Sequence, residues 1–329
     1  MKYDVFGIGS ALIDILIEVD PNKLLELSLK KGQFHLVDEK NSQGILQTLE
    51  HHKCKKCPGG SSANTLYGVA LLGGNVVFCG KVGEDPHAKA YEEEMHQGGV
   101  RTQLARGKKI TGNAITLITP DGERTFAVHL GASMELKKQD IFFEDLKNSR
   151  ILHIEGYQLE DKNLRSVSLH AMEFAKKHNT KISIDLGDPG IVLRNKADIE
   201  NMIKEYTDIV FANKDEAKAL TGLEPLNALN KIAKITDIAI VKIGVDGSLI
   251  KQGETMLKIP AFKAKAVDTT GAGDMYAAGV LYGISKNYDL KTSGYIGSYF
   301  AAKVVDQMGA RLQTIDKNEL RKLISQVKR

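Results

Sequence analysis

From residue 150 to residue 251 the chain alternates short apolar runs with amphipathic stretches, and this alternation limits the possible folds more than any other feature. Residues 151–155, 181–185, 209–212, 238–243 and 248–251 read as strands rich in Ile and Val, whereas 164–177 repeats apolar residues at helical spacing. Strands with near-continuous apolar runs are buried on both faces, which is the condition of a parallel sheet covered by helices on either side. Ligands of such sheets collect beyond the carboxyl ends of the strands. Asp185, Asn213 and Gly244 stand at those ends, so the pattern predicts a single functional rim. The expected fold class is α/β, with a mostly parallel central sheet and helices on both faces.

The N-terminal part departs from this rhythm. Residues 3–9 read as a short strand, and 12–19 (LIDILIEV) as a second β-prone run carrying Asp14. Another short strand is expected at 33–37 and a helix at 41–49; strand, helix and strand follow at 75–82, 86–97 and 100–104. Alternating runs at 113–119 and 124–130 flank Pro120-Asp121-Gly122-Glu123, a hairpin signal. The runs at 12–19, 33–37 and 112–130 are therefore extra strands outside the βα repeat.

The most informative single stretch is VDTTGAGDMYAAGVLY, residues 267–282. Small residues let backbone approach a ligand closely, and a helix starting there aims unpaired N–H groups and its dipole at an anion. Asp274 is a carboxylate beside a place suited to negative charge. That makes chemical sense if it takes a proton from a hydroxyl while Gly271, Ala272 and Gly273 hold the group being transferred. Three further stretches carry two readings each. Pro58 to Asn64 (PGGSSAN) is a glycine-rich turn that either simply caps a helix through Ser61 or Ser62, or serves a ligand. Asn213-Lys214-Asp215-Glu216 is either a capping box or an anion and metal site, and Lys242-Ile243-Gly244-Val245-Asp246-Gly247 is either a hairpin turn or a ligand loop. Arg124 reads as a surface arginine that has phosphate within its reach.

Composition removes several classes. The 45 Lys and Arg against 41 Asp and Glu leave a net charge of +4, too mild and too mixed for a nucleic-acid partner, yet compatible with an anionic substrate. No apolar stretch is long enough to cross a membrane and no signal-peptide pattern opens the chain, so a cytoplasmic, soluble protein is expected. Cys54 and Cys57 form a lone CxxC without the second ligand pair of a zinc site, and Cys79 stands alone; all three read as incidental thiols. Gly7 and Gly9 begin a dinucleotide fingerprint, but Leu12 replaces its third glycine, which argues against an oxidoreductase. Gly80-Lys81-Val82 lacks the spacing and the Ser or Thr of a P-loop.

DTTGAGD followed by a small-residue helix resembles the second signature of the ribokinase-like (PfkB) family of carbohydrate and nucleoside kinases, and PGGSSAN resembles the first. The resemblance implies an ATP-dependent phosphotransferase of one domain, residues 1–329, with a small β-sheet lid over the acceptor. By it, Asp274 corresponds to the catalytic base and Gly271, Ala272 and Gly273 to the anion hole, while at the substrate site Gly59 and Gly60 form a hinge and Asn64 and Asp14 contact substrate hydroxyls. Asn213 and Glu216 match the NxxE motif, with Glu216 organising magnesium through water; Lys242, Gly244 and Gly247 match the nucleotide loop. The helix at 295–305 would flank adenine. Glu155 and Asp185 are weaker substrate or metal candidates, and Asp268 and Thr270 match the positions that hold a potassium ion in some relatives. The stretches GIGSALIDI and GERTFAVHLGAS look most like the adenosine-kinase-like branch. A nucleoside, adenosine first, is the expected acceptor; a sugar kinase for ribose, fructose or a keto-deoxy sugar acid is the alternative. A binding-only relative is disfavoured by the intact Asp274 loop. Monomer and homodimer both stay open, the lid being a sheet that dimerises in some relatives.

Overall fold

In the computed structural model, which describes residues 1–327, the chain opens with β1 (Tyr3–Ile8), β2 (Leu12–Glu18), α1 (Pro21–Glu26), β3 (Phe34–Leu36), α2 (Glu39–Thr48) and β4 (Cys54–Gly59). Then come α3 (Ser61–Leu71), β5 (Val76–Val82), α4 (Pro86–Gln97), β6 (Arg101–Arg106), β7 (Thr111–Ile118) and β8 (Arg124–Gly131). The middle of the chain adds α5 (Phe143–Lys147), β9 (Ser149–Glu155), α6 (Lys162–Lys177), β10 (Lys181–Asp185), α7 (Pro189–Arg194) and α8 (Lys196–Tyr206). After them lie β11 (Ile209–Asn213), α9 (Lys214–Thr221), α10 (Pro225–Ile232), β12 (Ile238–Lys242), β13 (Ser248–Gln252) and β14 (Thr255–Ile259). Three helices follow: α11 (Ala272–Ser285), α12 (Leu290–Val305) and α13 (Lys317–Val327).

Nine strands form the main sheet in the order β14-β13-β12-β11-β10-β9-β1-β5-β6. The seven from β12 to β6 are parallel, and β13 and β14 fold back antiparallel at one end. Buried side chains on both faces of β1, β5 and β9 to β12 account for the continuous apolar runs in the sequence. The small-residue character of α11 has a packing cause. Gly279 meets the backbone of α12 at Gly297, where an added Cβ would lie 2.5 Å from the Gly297 nitrogen.

The second sheet has five strands, β3-β8-β7-β2-β4. Its hairpin β7–β8 pairs Ala114 with Val128 and Thr116 with Phe126, and β2 lies parallel to β7 with Asp14 opposite Ala114. The fifth strand, β4, corrects the sequence reading, which sees only a CxxC pair and a glycine-rich turn there. Lys55 and Lys56 are exposed on it, as suits an edge that must not recruit another strand. Cys54 and Cys57 are unpaired, and three residues apart on a strand they face opposite sides.

Alternation splits this sheet into two unlike faces. On one, Ile13, Ile15, Ile17, Ile115 and Leu117 are buried in one cluster with Leu24 and Leu29 of and after α1, and with Ile45 and Leu49 of and after α2. Each fully buried side chain of this kind contributes roughly 1.5–3 kcal/mol, so a one-residue slip would be prohibitive. The face of the sheet that carries Ile13, Ile15 and Ile17 is therefore covered by the chain's own helices. The other face looks onto the carboxyl ends of the main sheet.

Candidate active site

A cleft of about 560 Å³ separates the two sheets. Its floor is the rim that the alternation predicts. Register sets Glu155 beside Asp185, and Asn213 beside Lys242, at the ends of four consecutive strands. Its roof is the inner face of the small sheet: Leu12, Asp14, Phe34, Leu36, Ala114, Phe126, Val128 and Leu130.

At one end of the floor α11 begins at Gly271, whose φ of 76° only glycine adopts without strain; a Cβ there would also fall 2.4 Å from the Ala310 carbonyl oxygen. Gly273 and Asp274 lie in the first turn, where amides have no intrahelical acceptor. Ala272 differs from the expectation. It does not line the cleft, and its amide turns back to the Thr269 carbonyl at 3.3 Å. Asp274 accepts from Ser61 Oγ at 2.7 Å and from Asn64 Nδ2 at 2.9 Å. Burial raises the proton affinity of Asp274, and the two hydrogen bonds restrain that rise.

The first glycine turn meets Asp274 from the other side of the cleft. Gly60 takes φ 94° against the Ser10 carbonyl, and Gly59 lies where a Cβ would overlap the Asp14 carboxyl at 2.1 Å. No serine caps α3: Gly60 is the N-cap, and Ser61 instead donates to Asp274. The cap comes from a distant strand, because Glu155 accepts from the amides of Ser62 at 2.7 Å and Ser10 at 2.9 Å. Glu155 thus holds the floor, the turn and β1 together, and both its oxygens serve that purpose. Above the turn, Asp14 points into the cleft. Burial pushes its carboxyl up to about 7; Arg311 opposes the rise, and Asp274 and Asp268 add to it.

At the other end of the floor Asn213 and Glu216 form a complete capping box. Asn213 Oδ1 accepts from the Glu216 amide at 2.8 Å, and Glu216 Oε2 accepts from the Asn213 amide at 2.7 Å. Glu216 Oε1 takes the Asn213 side-chain amide at 2.6 Å, so both carboxylate oxygens already have a donor. Burial pushes Glu216 up to about 8, with Lys242 opposing and Asp185 adding to the rise. Lys242 Nζ pairs with Asp185 at 2.7 Å. Burial disfavours the ammonium, but Asp185 and Glu216 outweigh it and hold Lys242 above its ordinary range. The same Nζ sits 3.1 Å from where a Gly273 Cβ would be, so this cation belongs to the anion end of the cleft. Gly244 lines the cleft, whereas Gly247 does not; it packs against the Ile259 carbonyl in the β12–β13 turn.

Two arginines change the picture drawn from sequence. Arg124 is no surface side chain: its guanidinium pairs with Asp268 and donates to Thr269 Oγ1 at 2.7 Å, which joins β8 to the loop before α11. Asp268 also accepts from the amides of Thr270 and Gly309, each at 2.7 Å, so its oxygens have partners without any ion; the Thr270 hydroxyl has none among the described residues. Arg311, for which the sequence has no motif, donates to Asn64 Oδ1 at 2.8 Å. Among the described residues no group of three or more His, Cys, Asp or Glu is placed to hold a metal, and no helix is long and apolar enough to cross a membrane. Magnesium keeps several waters and takes one or two carboxylates together with substrate phosphates. The buried carboxyl groups of Asp185 and Glu216 fit such an ion.

A helix N-terminus, a cation beside it, and a carboxylate aimed at an enclosed cleft define a phosphotransferase that acts on a small hydroxyl-bearing molecule. The sequence model of the pfkB family carbohydrate kinases matches residues 33–318, and the chain belongs to that family. It is 28% identical over 336 residues to the 5-dehydro-2-deoxygluconokinase of Bacillus subtilis, covering 98% of this chain and 96% of the other. The solved adenosine kinase of Sinorhizobium meliloti superposes with a TM-score of 0.92 at 30% identity, over 98% of this chain and 99% of that one. A probable sugar kinase from Rhizobium etli is similar to the same degree, with TM-score 0.92, 29% identity and 99% of both chains covered. ATP is the phosphate donor the family implies, usually with magnesium.

Proposed function

We propose that the chain works as one catalytic unit that moves the γ-phosphoryl group of ATP to the 5′-hydroxyl of a nucleoside, adenosine first. The observation that carries the nucleoside reading is the roof. Seven of its cleft-facing side chains (Leu12, Phe34, Leu36, Ala114, Phe126, Val128 and Leu130) are apolar, and Asp14 and Arg124 are the charged groups among them. An apolar wall with Phe34 packed on Tyr157 at 5.2 Å suits a planar base, and a carboxylate suits the two adjacent hydroxyls of a ribose. A sugar acid would need a cation at this wall, and Arg124 is engaged by Asp268 and Thr269.

In this reading Asp14 and Asn64 hold the acceptor so that its primary hydroxyl meets Asp274. Asp274 takes the hydroxyl proton, the oxygen forms its bond to the γ-phosphorus, and the bond to the β,γ-bridging oxygen breaks to release ADP. Amides of Gly271, Gly273 and Asp274, with Lys242 beside them, stabilise the charge on the moving group. Glu216 and Asp185 would hold a magnesium ion, which would supply charge neutralisation on the phosphates. Asp268, the expected potassium position, is paired here with Arg124. The roof keeps water away from ATP until an acceptor is in place.

The second reading is a sugar kinase, supported by full-length likeness to the Bacillus subtilis enzyme. A screen with ATP and magnesium over nucleosides, ribose, fructose and 5-dehydro-2-deoxygluconate decides. Adenosine should give the highest kcat/KM; preference for 5-dehydro-2-deoxygluconate would overturn the nucleoside reading, and no turnover of any acceptor would overturn the mechanism.

A further inference from the structure

We propose that Arg311 is a positioning residue for the acceptor: it fixes the Asn64 amide against Asp274 and brings the positive charge that serves Asp14. The proposal rests on the reading of Asp274 as base and Asp14 as hydroxyl anchor.

Arg311 lies just past α12, on a segment that wraps the loop before α11. The Val305 carbonyl accepts from the amides of Val267 and Asp268, the Gly309 amide donates to Asp268, and the Ala310 backbone packs on Gly271. The Arg311 side chain is only 6% exposed. Besides its 2.8 Å bond to Asn64, its guanidinium lies 5.0 Å from the Tyr67 ring centroid and 3.5 Å from Glu94. Its Nη2 is buried without a partner among the described residues. A buried charge with an idle donor weakens a fold compared with an apolar side chain of the same volume, so packing does not account for it.

An amide has one accepting end and one donating end. With Oδ1 of Asn64 taken by Arg311, Nδ2 must face Asp274, where it is found at 2.9 Å. The flipped amide would set oxygen against carboxylate and NH₂ against guanidinium, two repulsions at once. Arg311 therefore selects the orientation in which Asn64 steadies the base. Its second task follows from the charges around Asp14. Asp274 and Asp268 repel it, and the Cys57 thiol and Tyr91 hydroxyl stay neutral because burial raises both. Glu94 and Lys55 act on Cys57, the cross-strand partner of Asp14. Arg311 is the group that favours an ionised Asp14, the form able to accept from two hydroxyls.

Arg311→Met and Arg311→Lys in the full chain test this, with ATP, magnesium and adenosine, or 5-dehydro-2-deoxygluconate should that be the acceptor turned over. Arg311→Met should raise the acceptor KM roughly ten- to a hundredfold, the range expected for a lost charge-assisted contact, and leave the KM for ATP unchanged. It should also move the acid limb of acceptor kcat/KM to higher pH, because loss of the cation raises the proton affinity of Asp14 further. Arg311→Lys keeps the charge without the planar Nε–H that fixes Asn64 against the base, so it should restore the limb while kcat falls below that of the wild type. An unmoved limb with a wild-type acceptor KM would overturn the proposal, as would equal increases in both KM values with a lowered melting temperature. If Arg311→Met does not fold, Arg311→Lys decides alone: wild-type kcat overturns the amide-fixing role. Undiminished turnover by Asp274→Asn would instead remove the base reading, and the pH limb of Arg311→Met would still report on Asp14.

Discussion

The floor and the roof of the cleft are built on opposite principles. The floor presents backbone amides, a helix N-terminus and the groups Asp185, Glu216, Lys242 and Asp274; Asp274 and the Asp185–Lys242 pair are held by bonds between elements far apart in sequence, and Glu216 by its own capping box. The roof presents Leu, Val, Ala and Phe side chains and a single acid. Phosphoryl transfer demands fixed charge and therefore a rigid polar scaffold, while choosing an acceptor demands shape and apolar contact. The two surfaces meet at two bridges: Arg124 joining β8 to Thr269 and Asp268, and Asp14 facing Asn64 and Asp274 across the cleft. Chemistry and specificity are thus separable here to the extent that these bridges allow.

The sharpest way to break the contrast is at the floor. Asp274→Asn should lower kcat by about 10²–10⁴, the usual loss when a general base is removed, with ATP affinity unchanged by calorimetry. Retained turnover would dissolve the distinction, since Asp274 is the carboxylate in the first turn of α11, beside Lys242. At the roof, Asp14→Ala should raise the acceptor KM by roughly tenfold or more with kcat and the KM for ATP little changed. Equal effects on both substrates would mean that the roof acts on the phosphates as well.

The bridge itself comes next. Arg124→Met removes the tie between roof and floor and should raise ATP hydrolysis in the absence of acceptor, measured by ADP release, because water gains access. A wild-type background rate would place the tie outside the closing of the cleft. Phe34→Ala should weaken nucleosides by roughly 1–3 kcal/mol, as a lost stacking or packing contact does, and leave simple sugars unaffected. The smallest effect is on pH. Asp14 must be ionised to accept, and its carboxyl sits near 7, so acceptor kcat/KM should climb as pH rises through neutrality and level off above it. Stability has the opposite sign: an acid whose folded-state proton affinity is raised favours the native state while protonated, and this contribution is lost as pH rises from the ordinary carboxylate range, 3.8, through about 7. Asp14→Asn should therefore raise the melting temperature at alkaline pH while abolishing the pH limb; an unchanged melting temperature would show that Asp14 is less buried than its surroundings imply.

Several parts of this site could be read from the chain because they are local. The Asn213 box is complete within four residues, and Gly271 to Asp274 carry their function in the order of the loop itself. The β7–β8 hairpin follows from its turn residues and alternation. Other parts had no local signal. Glu155 caps a helix 93 residues away from it, Arg124 reaches a loop 145 residues on, and Arg311 binds an amide 247 residues before it. β4 escaped notice because an edge strand of lysines and cysteines has no apolar alternation to reveal it.

What the sequence determined by itself was the repeat of buried strands and helices, the glycine loop and its acid, and so the parallel sheet with a phosphate-handling rim. Those features depend on neighbours a few residues apart, where periodicity and backbone freedom act directly. Tertiary structure alone decided which groups share the cleft: that Asn64 faces Asp274 under Arg311, that Asp268 meets a guanidinium, and that one face of the small sheet is covered while the other forms an apolar roof. The physical reason is that a charge or an amide takes its role from what lies within a few ångströms, and folding sets that distance regardless of separation along the chain.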